Sequence, residues 1–230
     1  MLNLKQIYQL FKRLTIKQSK NYSKIKRVSK KFGFDRGLPI DRFYIDKYLD
    51  KNLSKSTYQN GLEVGGVQYL EKFKVAKKTA LLHPEYLISE GHGDQALVVD
   101  LNKKFKNIGD EKFDLIIATN VLNFVEEPHL ALNTFQELLV PGGLLIISVS
   151  ASMPISEFDK NRWGDFWRFS LQGLRLILGK TDMDFEIEYR GNFRATIAFL
   201  CGMATEECPE IDLLDLDDEF PITIFAKCKK

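Results

Sequence analysis

A short glycine loop is the first feature of this sequence whose residue types and spacing could do chemistry. In the stretch GLEVGG, at positions 61–66, Glu63 is followed by Gly65 and Gly66, and glycines let a backbone approach a bound molecule closely. Val67 stands where a dinucleotide-binding loop has its second glycine, so the pattern that holds a pyrophosphate on a helix N-terminus is absent. The loop therefore favours a ligand without phosphates, with Glu63 helping to position an ammonium group.

Polar side chains follow the later apolar runs of the chain. Glu85 comes after the run KTALLH, Asp100 ends ALVVD with Leu101 behind it, and Asn120 follows FDLIIAT. In a doubly wound sheet a ligand lies beyond the carboxyl ends of the strands, so these residues are expected near the glycine loop. Each also has a structural alternative: Glu85 as a surface carboxylate, Asp100 as a turn residue and Asn120 as a helix cap.

The segment WGDFWRFS, at positions 163–170, is a second candidate site. Trp163 and Trp167 offer flat faces on which a sugar ring could stack, and Asp165 and Arg168 could bind hydroxyl or carboxylate groups. Ligand pockets commonly combine aromatic walls with a few polar groups of this kind. The structural alternative is an aromatic plug over the sheet edge, held by an Asp–Arg ion pair.

Strands that alternate with helices must position these residues, and the alternation begins at residue 60. The apolar runs are continuous, which indicates a parallel sheet covered by helices on both faces. The predicted fold class is therefore α/β, with a doubly wound, mostly parallel sheet. The expected strands are 61–65, 78–83, 96–100, 113–119, 144–150, 185–191 and the closing FPITIFAKCKK; the expected helices are 129–143, which the segment Pro141–Gly143 would end, 170–181 and 192–207.

Charge is unevenly distributed along the chain, although the net charge is only +2. Residues 1–34 hold ten Lys or Arg and no acidic residue, whereas residues 206–219 hold eight Asp or Glu and no basic residue. Apolar residues at helical spacing between positions 4 and 14 predict an amphipathic helix, and a second helix is predicted near Pro39. The basic arm could contact phosphates, acidic lipid or an acidic partner, or be a solvated extension.

Composition argues against several classes of protein. The 230 residues are 44% hydrophobic, enough for one sizeable core. Cys201, Cys208 and Cys228 are odd in number and form no CxxC pair, which fits free thiols better than a disulfide framework or a zinc site. The sequence has neither an apolar run of about 18 residues nor a secretory signal. A cytoplasmic protein without a metal is expected.

The motifs GLEVGG, VVDL and FDLIIATNVLNFVEEPHLALNTFQELLVPGGLLIISV together resemble the motif series of class I S-adenosylmethionine-dependent methyltransferases. WGDFWRFS and DRGLPIDRFYIDKYL resemble blocks of one branch that is associated with glycosyltransferases and surface-glycan synthesis. The similarity covers residues 34–228. It implies a Rossmann-like sheet of seven strands with an antiparallel last strand, paired with the strand before it. Residues 1–34 would be a basic N-terminal helical extension, and residues 35–230 the methyltransferase-like domain.

The resemblance also implies roles for individual residues, with S-adenosylmethionine as the cofactor. Glu63 and Gly65 match positions that line its methionine part, Glu85 comes about where a ribose-binding carboxylate lies, and Asp100 with Leu101 matches an adenine-contacting pair. The implied cofactor-binding residues are Glu63, Gly65, Gly66, Glu85, Asp100, Leu101 and Asn120, and the implied substrate-binding residues are Trp163, Asp165, Trp167 and Arg168.

The resulting hypothesis is an enzyme that transfers a methyl group from S-adenosylmethionine to a small-molecule or glycan acceptor. A hydroxyl acceptor needs a general base, and His83, His129 and Asp165 are candidates between which the sequence does not choose. The alternative is a catalytically degenerate methyltransferase fold that binds a partner, which Val67 would favour. A nicotinamide oxidoreductase is disfavoured by the missing phosphate loop. No nucleic-acid partner is expected, and the basic arm predicts a peripheral membrane or protein contact.

Overall fold

The computed structural model describes residues 25–84, 95–103 and 111–230, and within them it shows one seven-stranded sheet. Strands β1 to β5 pair in parallel, while β7 pairs antiparallel with both β5 and β6. The strands are β1 (Asn60–Val64), β2 (Lys77–Leu82), β3 (Gln95–Val98), β4 (Phe113–Thr119), β5 (Leu139–Ser150), β6 (Asp184–Arg190) and β7 (Thr223–Lys229). The predicted α/β, doubly wound, mostly parallel sheet with an antiparallel last strand is confirmed.

The strand order places the closing strand inside the sheet. The order is β3-β2-β1-β4-β5-β7-β6, so β7 lies between β5 and β6. Because β6 is antiparallel to β7, it runs in the same direction as the first five strands. The order reverses between β1 and β4, and a crevice for a ligand is expected outside the carboxyl ends of these two strands.

Side chains of the central strands are buried on both faces of the sheet. In β4, Ile116 and Ala118 pack into one apolar cluster, and Leu115 and Ile117 pack into the other. Successive side chains of a strand point to opposite faces, so a strand covered on both sides must be apolar throughout. This is the physical origin of the continuous apolar runs in the sequence.

Helices cover both faces, and polar caps mark where several of them begin. The side chain of Ser170 accepts a hydrogen bond from the N–H of Gly173, and that of Asn192 accepts one from the N–H of Ala195. The helices are α1 (Ile40–Leu53), α2 (Gln68–Lys72), α3 (Pro128–Leu138), α4 (Glu157–Lys160), α5 (Leu171–Leu178), α6 (Phe193–Cys201) and α7 (Glu210–Leu214).

The predicted helix 129–143 is too long at its C-terminal end. Helix α3 ends at Leu138, and the next residue, Leu139, already pairs with Phe113 as the first residue of β5. The segment Pro141–Gly143, expected to stop the helix, instead lies within β5, where the register with β4 shifts. Strand pairing therefore begins before the residues that break helices are reached.

The predicted helix 192–207 is also too long. Helix α6 ends at Cys201 because Gly202 takes a left-handed conformation, with φ +79°, which is a common helix stop. A separate 3-10 turn, Thr205–Glu207, follows it.

Helix α1 is the N-terminal element that reaches the carboxyl edge of the sheet. It begins after Pro39, as predicted, and buries Ile40, Tyr44 and Tyr48. The ring of Tyr48 stacks on that of Phe225 in β7, with 4.2 Å between their centroids. This packing fixes the helix against the sheet and presents its other side to the crevice.

The N-terminal segment before α1 lies against α6. The N–H of Val28 donates to the carbonyl oxygen of Cys201 at 2.7 Å, and the rings of Phe32 and Phe199 are 6.3 Å apart. The amphipathic helix predicted between positions 4 and 14 lies outside the described residues. Among the described residues, no helix is long and apolar enough to cross a membrane.

Candidate functional site

A cavity of about 640 Å³ opens at the carboxyl edge of the sheet, in the crevice expected from the strand order. Its wall is formed by α1, the loop into α2, the segments that follow β2, β3 and β4, and the segment 158–163. The residues that line it include Arg42, Asp46, Glu63, Gly65, Gly66, Tyr69, Lys72, His83, Leu101, Asn102, Asn120, Val121, Phe158, Asp159 and Trp163.

The glycine loop leaves this cavity open. Gly65 has a φ of +90°, which residues with a side chain rarely adopt, and its N–H donates to the carbonyl oxygen of Leu81 at 2.9 Å. A Cβ atom placed on Gly65 or Gly66 would meet no other atom within 4 Å, so a side chain at either position would project into free space. Both glycines thus allow a bound molecule to lie directly on the backbone.

Val67 does not narrow the cavity. It is 3% exposed and packs in the apolar cluster that includes Leu70 and Val75. Its side chain fills a core position at the start of α2 and is not part of the cavity wall. The departure from the dinucleotide pattern is therefore compatible with an open loop.

Glu63 joins β1 to the start of α2. One of its carboxylate oxygens accepts hydrogen bonds from the N–H groups of Tyr69 and Leu70, at 2.9 and 3.0 Å. The side chain is buried, and this burial raises the pKa of Glu63 to about 7. The carboxyl group thus fixes the backbone that follows the glycine loop and also lines the cavity.

A Glu63→Gln variant is expected to change how stability depends on pH. The folded pKa is raised to about 7 from an ordinary 4.5, so this group stabilises the folded chain fully below about pH 4.5, and that stabilisation is lost as the pH rises through about 7. The shift corresponds to a free energy on the order of 3 kcal/mol. Urea unfolding at pH 5 and pH 8 should show a smaller difference for the variant than for the parent. If the unfolding free energy differs between pH 5 and pH 8 by the same amount in the variant and in the parent, the raised pKa of Glu63 is contradicted.

Asp100 holds the turn that brings its neighbours into the wall. Its carboxylate accepts the N–H of Asn102 at 3.0 Å, pairs with Lys103 at 2.9 Å and lies 3.7 Å from Nε2 of His83. Leu101 and Asn102 line the cavity on either side of this turn. The geometry matches the turn role proposed as an alternative for Asp100, with Leu101 as the residue that faces the cavity.

Asn120 is anchored at the end of β4 in a left-handed conformation, with φ +53°. Its side-chain NH₂ donates to Asp41 at 3.1 Å, and its side-chain oxygen accepts from the hydroxyls of Ser148 and Ser150 at 3.3 and 3.4 Å. The nearby 3-10 helix begins at Leu122 after Val121, so Asn120 is not its cap. The strained residue instead forms part of the cavity wall.

Of the four residues predicted in WGDFWRFS, Trp163 lines the cavity. Its ring lies 5.5 Å from that of His83 and 5.9 Å from that of Phe158, measured between centroids. Its side chain also hydrogen bonds to the carboxylate of Asp159. Trp163 therefore forms an aromatic wall between the end of β2 and helix α4.

Asp165 and Arg168 are paired with each other, as in the structural alternative. The side chain of Asp165 is 1% exposed, and its carboxylate accepts from Arg168 at 2.5 and 3.0 Å and from the N–H of Ser156 at 2.9 Å. Arg168 also donates to the carbonyl oxygens of Met153 and Pro154. This pair fastens the loop to the segment that precedes α4.

Trp167 fastens the other side of the same loop. Its indole N–H donates to the carbonyl oxygen of Val125 at 2.9 Å, and its own carbonyl oxygen accepts from the side chain of Asn123 at 2.6 Å. The residue as a whole is 44% exposed. Trp167 therefore ties the loop to the segment after β4. From this anchored loop, the side chain of Trp163 extends into the cavity.

The three candidate bases lie in different environments, and of the three His83 lines the cavity. His83 lines the cavity beside Trp163. His129 is 43% exposed at the start of α3, 3.4 Å from Glu127, and Asp165 is enclosed by Arg168 and Ser156. Glu85 lies outside the described residues, and its role stays a prediction.

Sequence reasoning missed four charged residues of the wall, Arg42, Asp46, Lys72 and Asp159. Arg42 and Asp46 are four positions apart on α1, a spacing that places two residues on one helix face, and this signal was available in the sequence. Asp159 had no comparable signal. Among the described residues there is no group of three metal-ligating side chains that could hold a metal ion.

Comparison with protein families agrees with this geometry. A family model described as "Methyltransferase domain" matches residues 26–178. The chain belongs to this methyltransferase family. It is an S-adenosylmethionine-dependent methyltransferase, as the resemblance implied, and S-adenosylmethionine is its cofactor. No curated protein matches the chain.

Solved structures share the fold at low sequence identity. The N-methyltransferase NodS of Bradyrhizobium japonicum, in complex with S-adenosyl-L-homocysteine, is 18% identical, with a TM-score of 0.55 over 89% of this chain and 94% of that one. A possible histamine N-methyltransferase of Thermotoga maritima is 20% identical, with a TM-score of 0.56 over 83% and 91%. An S-adenosylmethionine-dependent methyltransferase of Mesorhizobium loti is 14% identical, with a TM-score of 0.55 over 83% and 98%.

The cavity of this methyltransferase fits the cofactor. The free space in front of Gly65 and Gly66 is a cradle that any side chain there would fill, and Leu101 and Val121 add apolar wall nearby. S-adenosylmethionine supplies an electrophilic methyl group when it is bound. Since methyl transfer is an in-line displacement, the protein contributes mainly by placing the acceptor correctly.

Proposed function

We propose that this methyltransferase methylates a hydroxyl group of a glycan or a related small acceptor. The observation that carries the proposal is that Trp163 lines the cavity with Asp159 beside it. An indole face can stack on a sugar ring while a carboxylate accepts its hydroxyl groups. The blocks WGDFWRFS and DRGLPIDRFYIDKYL, which resemble the glycan-associated branch, support the same class of acceptor.

The cofactor is proposed to lie along the edge formed by the ends of β1, β2 and β3. Gly65 and Gly66 would leave room for its methionine end, and Leu101 would contact its adenine. Glu85 is assigned to the ribose from sequence position alone. The proposed cofactor-binding residues are Glu63, Gly65, Gly66, Glu85, Asp100, Leu101 and Asn120.

Trp163 is the residue of the predicted acceptor set that is proposed to touch the acceptor. Asp165, Trp167 and Arg168 would act through the loop that carries Trp163, because their polar groups bond within the protein. Removing any of these three would then affect the acceptor by moving the loop.

The proposal is tested in two steps. Calorimetric titration of the purified protein with S-adenosylmethionine measures cofactor binding. Transfer of tritium-labelled methyl groups is then measured on methyl glycosides of common hexoses, on nucleoside diphosphate sugars and on histamine as an amine. Transfer to a sugar supports the proposal. Transfer to histamine alone would overturn it, and binding without transfer to any of them would favour the degenerate alternative.

The domain division and cellular context extend the proposal. We place the catalytic domain at residues 35–230 and treat residues 1–34 as a basic extension whose described part lies against α6. A cytoplasmic location agrees with three free cysteines. The arm would contact an acidic membrane surface or protein partner. Cosedimentation of the full chain with vesicles containing phosphatidylserine, lost at high salt, would support the membrane contact; no cosedimentation at low salt would contradict it.

A further inference from the structure

Asp159 is built into the same unit as Trp163. It lies in α4, where the hydroxyl of Ser156 donates to its carboxylate at 2.5 Å and the side chain of Trp163 also hydrogen bonds to it. Its main-chain carbonyl oxygen accepts the N–H groups of Trp163 and Gly164 at 2.9 and 3.1 Å. Both the backbone and the ring of Trp163 are therefore fixed by this one residue.

The carboxylate of Asp159 is the acidic group of the described wall that adjoins Trp163. Two other carboxylates line the cavity, but Glu63 binds the amides at the start of α2, and Asp46 lies 3.7 Å from Lys72. An ionised carboxylate has about four acceptor sites, and Ser156 and Trp163 donate to Asp159 here. Acceptor capacity is left for a hydroxyl group from the cavity.

We infer that Asp159 binds the acceptor hydroxyl and takes its proton during methyl transfer. The inference rests on the proposed function. The O–H bond of the acceptor breaks and its proton passes to the Asp159 carboxylate, while the oxygen forms the new bond to the methyl group. The methyl–sulfur bond breaks with its electrons staying on sulfur, so the sulfonium becomes a neutral thioether. Asp159 then returns its proton to solvent.

The surroundings of Asp159 suit a base. Burial raises its pKa above the ordinary 3.8, and the hydrogen bonds from Ser156 and Trp163 oppose this increase only in part. The nearby negative charge of Asp165 also raises the pKa, and the positive charge of Arg162 lowers it. His83 lies beside Trp163 at the end of β2, with 5.5 Å between the ring centroids. A carboxylate with a raised pKa accepts a proton more readily than an exposed one.

The test replaces Asp159 by asparagine. Asp159→Asn keeps an oxygen that can accept from Ser156 and Trp163, but it cannot take a proton. With the methyl glycoside that the parent methylates best, kcat should fall by about 100-fold or more, while calorimetric affinity for S-adenosylmethionine stays unchanged. The parent rate should rise with pH through a pKa above 3.8, and the variant should lack this dependence. Glu157→Gln is the matched control, since Glu157 lies in the same helix with a 74% exposed side chain; its activity should equal the parent's.

Fluorescence supplies a measurement that needs no acceptor. The chain has two tryptophans, so a Trp167→Phe variant leaves Trp163 as the reporter. Its emission should titrate with a midpoint above pH 3.8, and this titration should vanish when Asp159→Asn is added. An Asp159→Asn enzyme that keeps the parent rate, or one that loses cofactor affinity and melting temperature together with the rate, would overturn the role of Asp159. A parent that methylates no glycoside would overturn the proposed function itself.

Discussion

A Gly65→Leu variant is expected to fold, but its affinity for S-adenosylmethionine should fall by at least about 100-fold. This corresponds to a loss of about 2.8 kcal/mol in binding free energy. Gly65 combines a φ of +90° with free space in front of its Cα, and a leucine side chain would occupy the space in which the cofactor is proposed to lie. The left-handed backbone adds a strain of about 1–2 kcal/mol. Calorimetry with S-adenosylmethionine and thermal melting measure the two effects separately.

Substitutions at two other glycines distinguish backbone strain from obstruction of the cofactor. Gly142 has a φ of +79°, and a Cβ atom there would likewise meet no atom within 4 Å, but it lies within β5 and outside the wall. Gly142→Leu should therefore be strained yet bind the cofactor normally. Gly66 has no positive φ, so Gly66→Ala adds a side chain in the cofactor space without backbone strain and tests obstruction of the cofactor alone. Unchanged affinity in Gly65→Leu would mean that the cofactor does not lie on this loop.

The sheet was predictable because its central strands are apolar on both faces. The run FDLIIAT at 113–119 coincides with β4, and the polar residues that follow the strands lie at the same edge as the glycine loop. The boundary between α3 and β5 was not predictable from local signals. The pairing of Leu139 with Phe113 is a tertiary contact, and it decides where the helix ends before Pro141 is reached.

The cavity wall was predictable in part, for a related reason. Gly65 and Gly66 follow β1 directly and Leu101 lies shortly after β3, so their place at the sheet edge follows from strand direction. Asp165 could equally have faced a ligand or Arg168, and only the packing of the loop on Ser156 decides between them. Asp159 belongs to no binding motif, since Ser156 and Asp159 have only the spacing of a helix cap. Its place in the wall depends on how residues 152–168 fold across the segment after β4.

A Trp163→Ala variant is expected to lose about 100-fold in methyl transfer while keeping the parent affinity for S-adenosylmethionine. Removing the ring forfeits stacking, and a misplacement of about 1 Å can cost roughly 100-fold in rate. Trp163 is half-buried at the cavity, where it contacts His83 and Phe158 by its ring, so its removal should lower the melting temperature only modestly. Turnover on a methyl glycoside, calorimetry and thermal melting together define this outcome.

Arg168→Ala is the informative comparison, because it disturbs the same loop without removing the aromatic wall. It leaves the carboxylate of Asp165, 1% exposed, without its cation, which should destabilise the fold by about 1–3 kcal/mol. Turnover and melting temperature should therefore both fall in Arg168→Ala. In Trp163→Ala, turnover should fall while the melting temperature changes only modestly. If Trp163→Ala instead melts many degrees lower and loses cofactor and acceptor together, Trp163 is a packing residue of the kind whose loss costs about 3–5 kcal/mol, and its assignment to the acceptor is wrong.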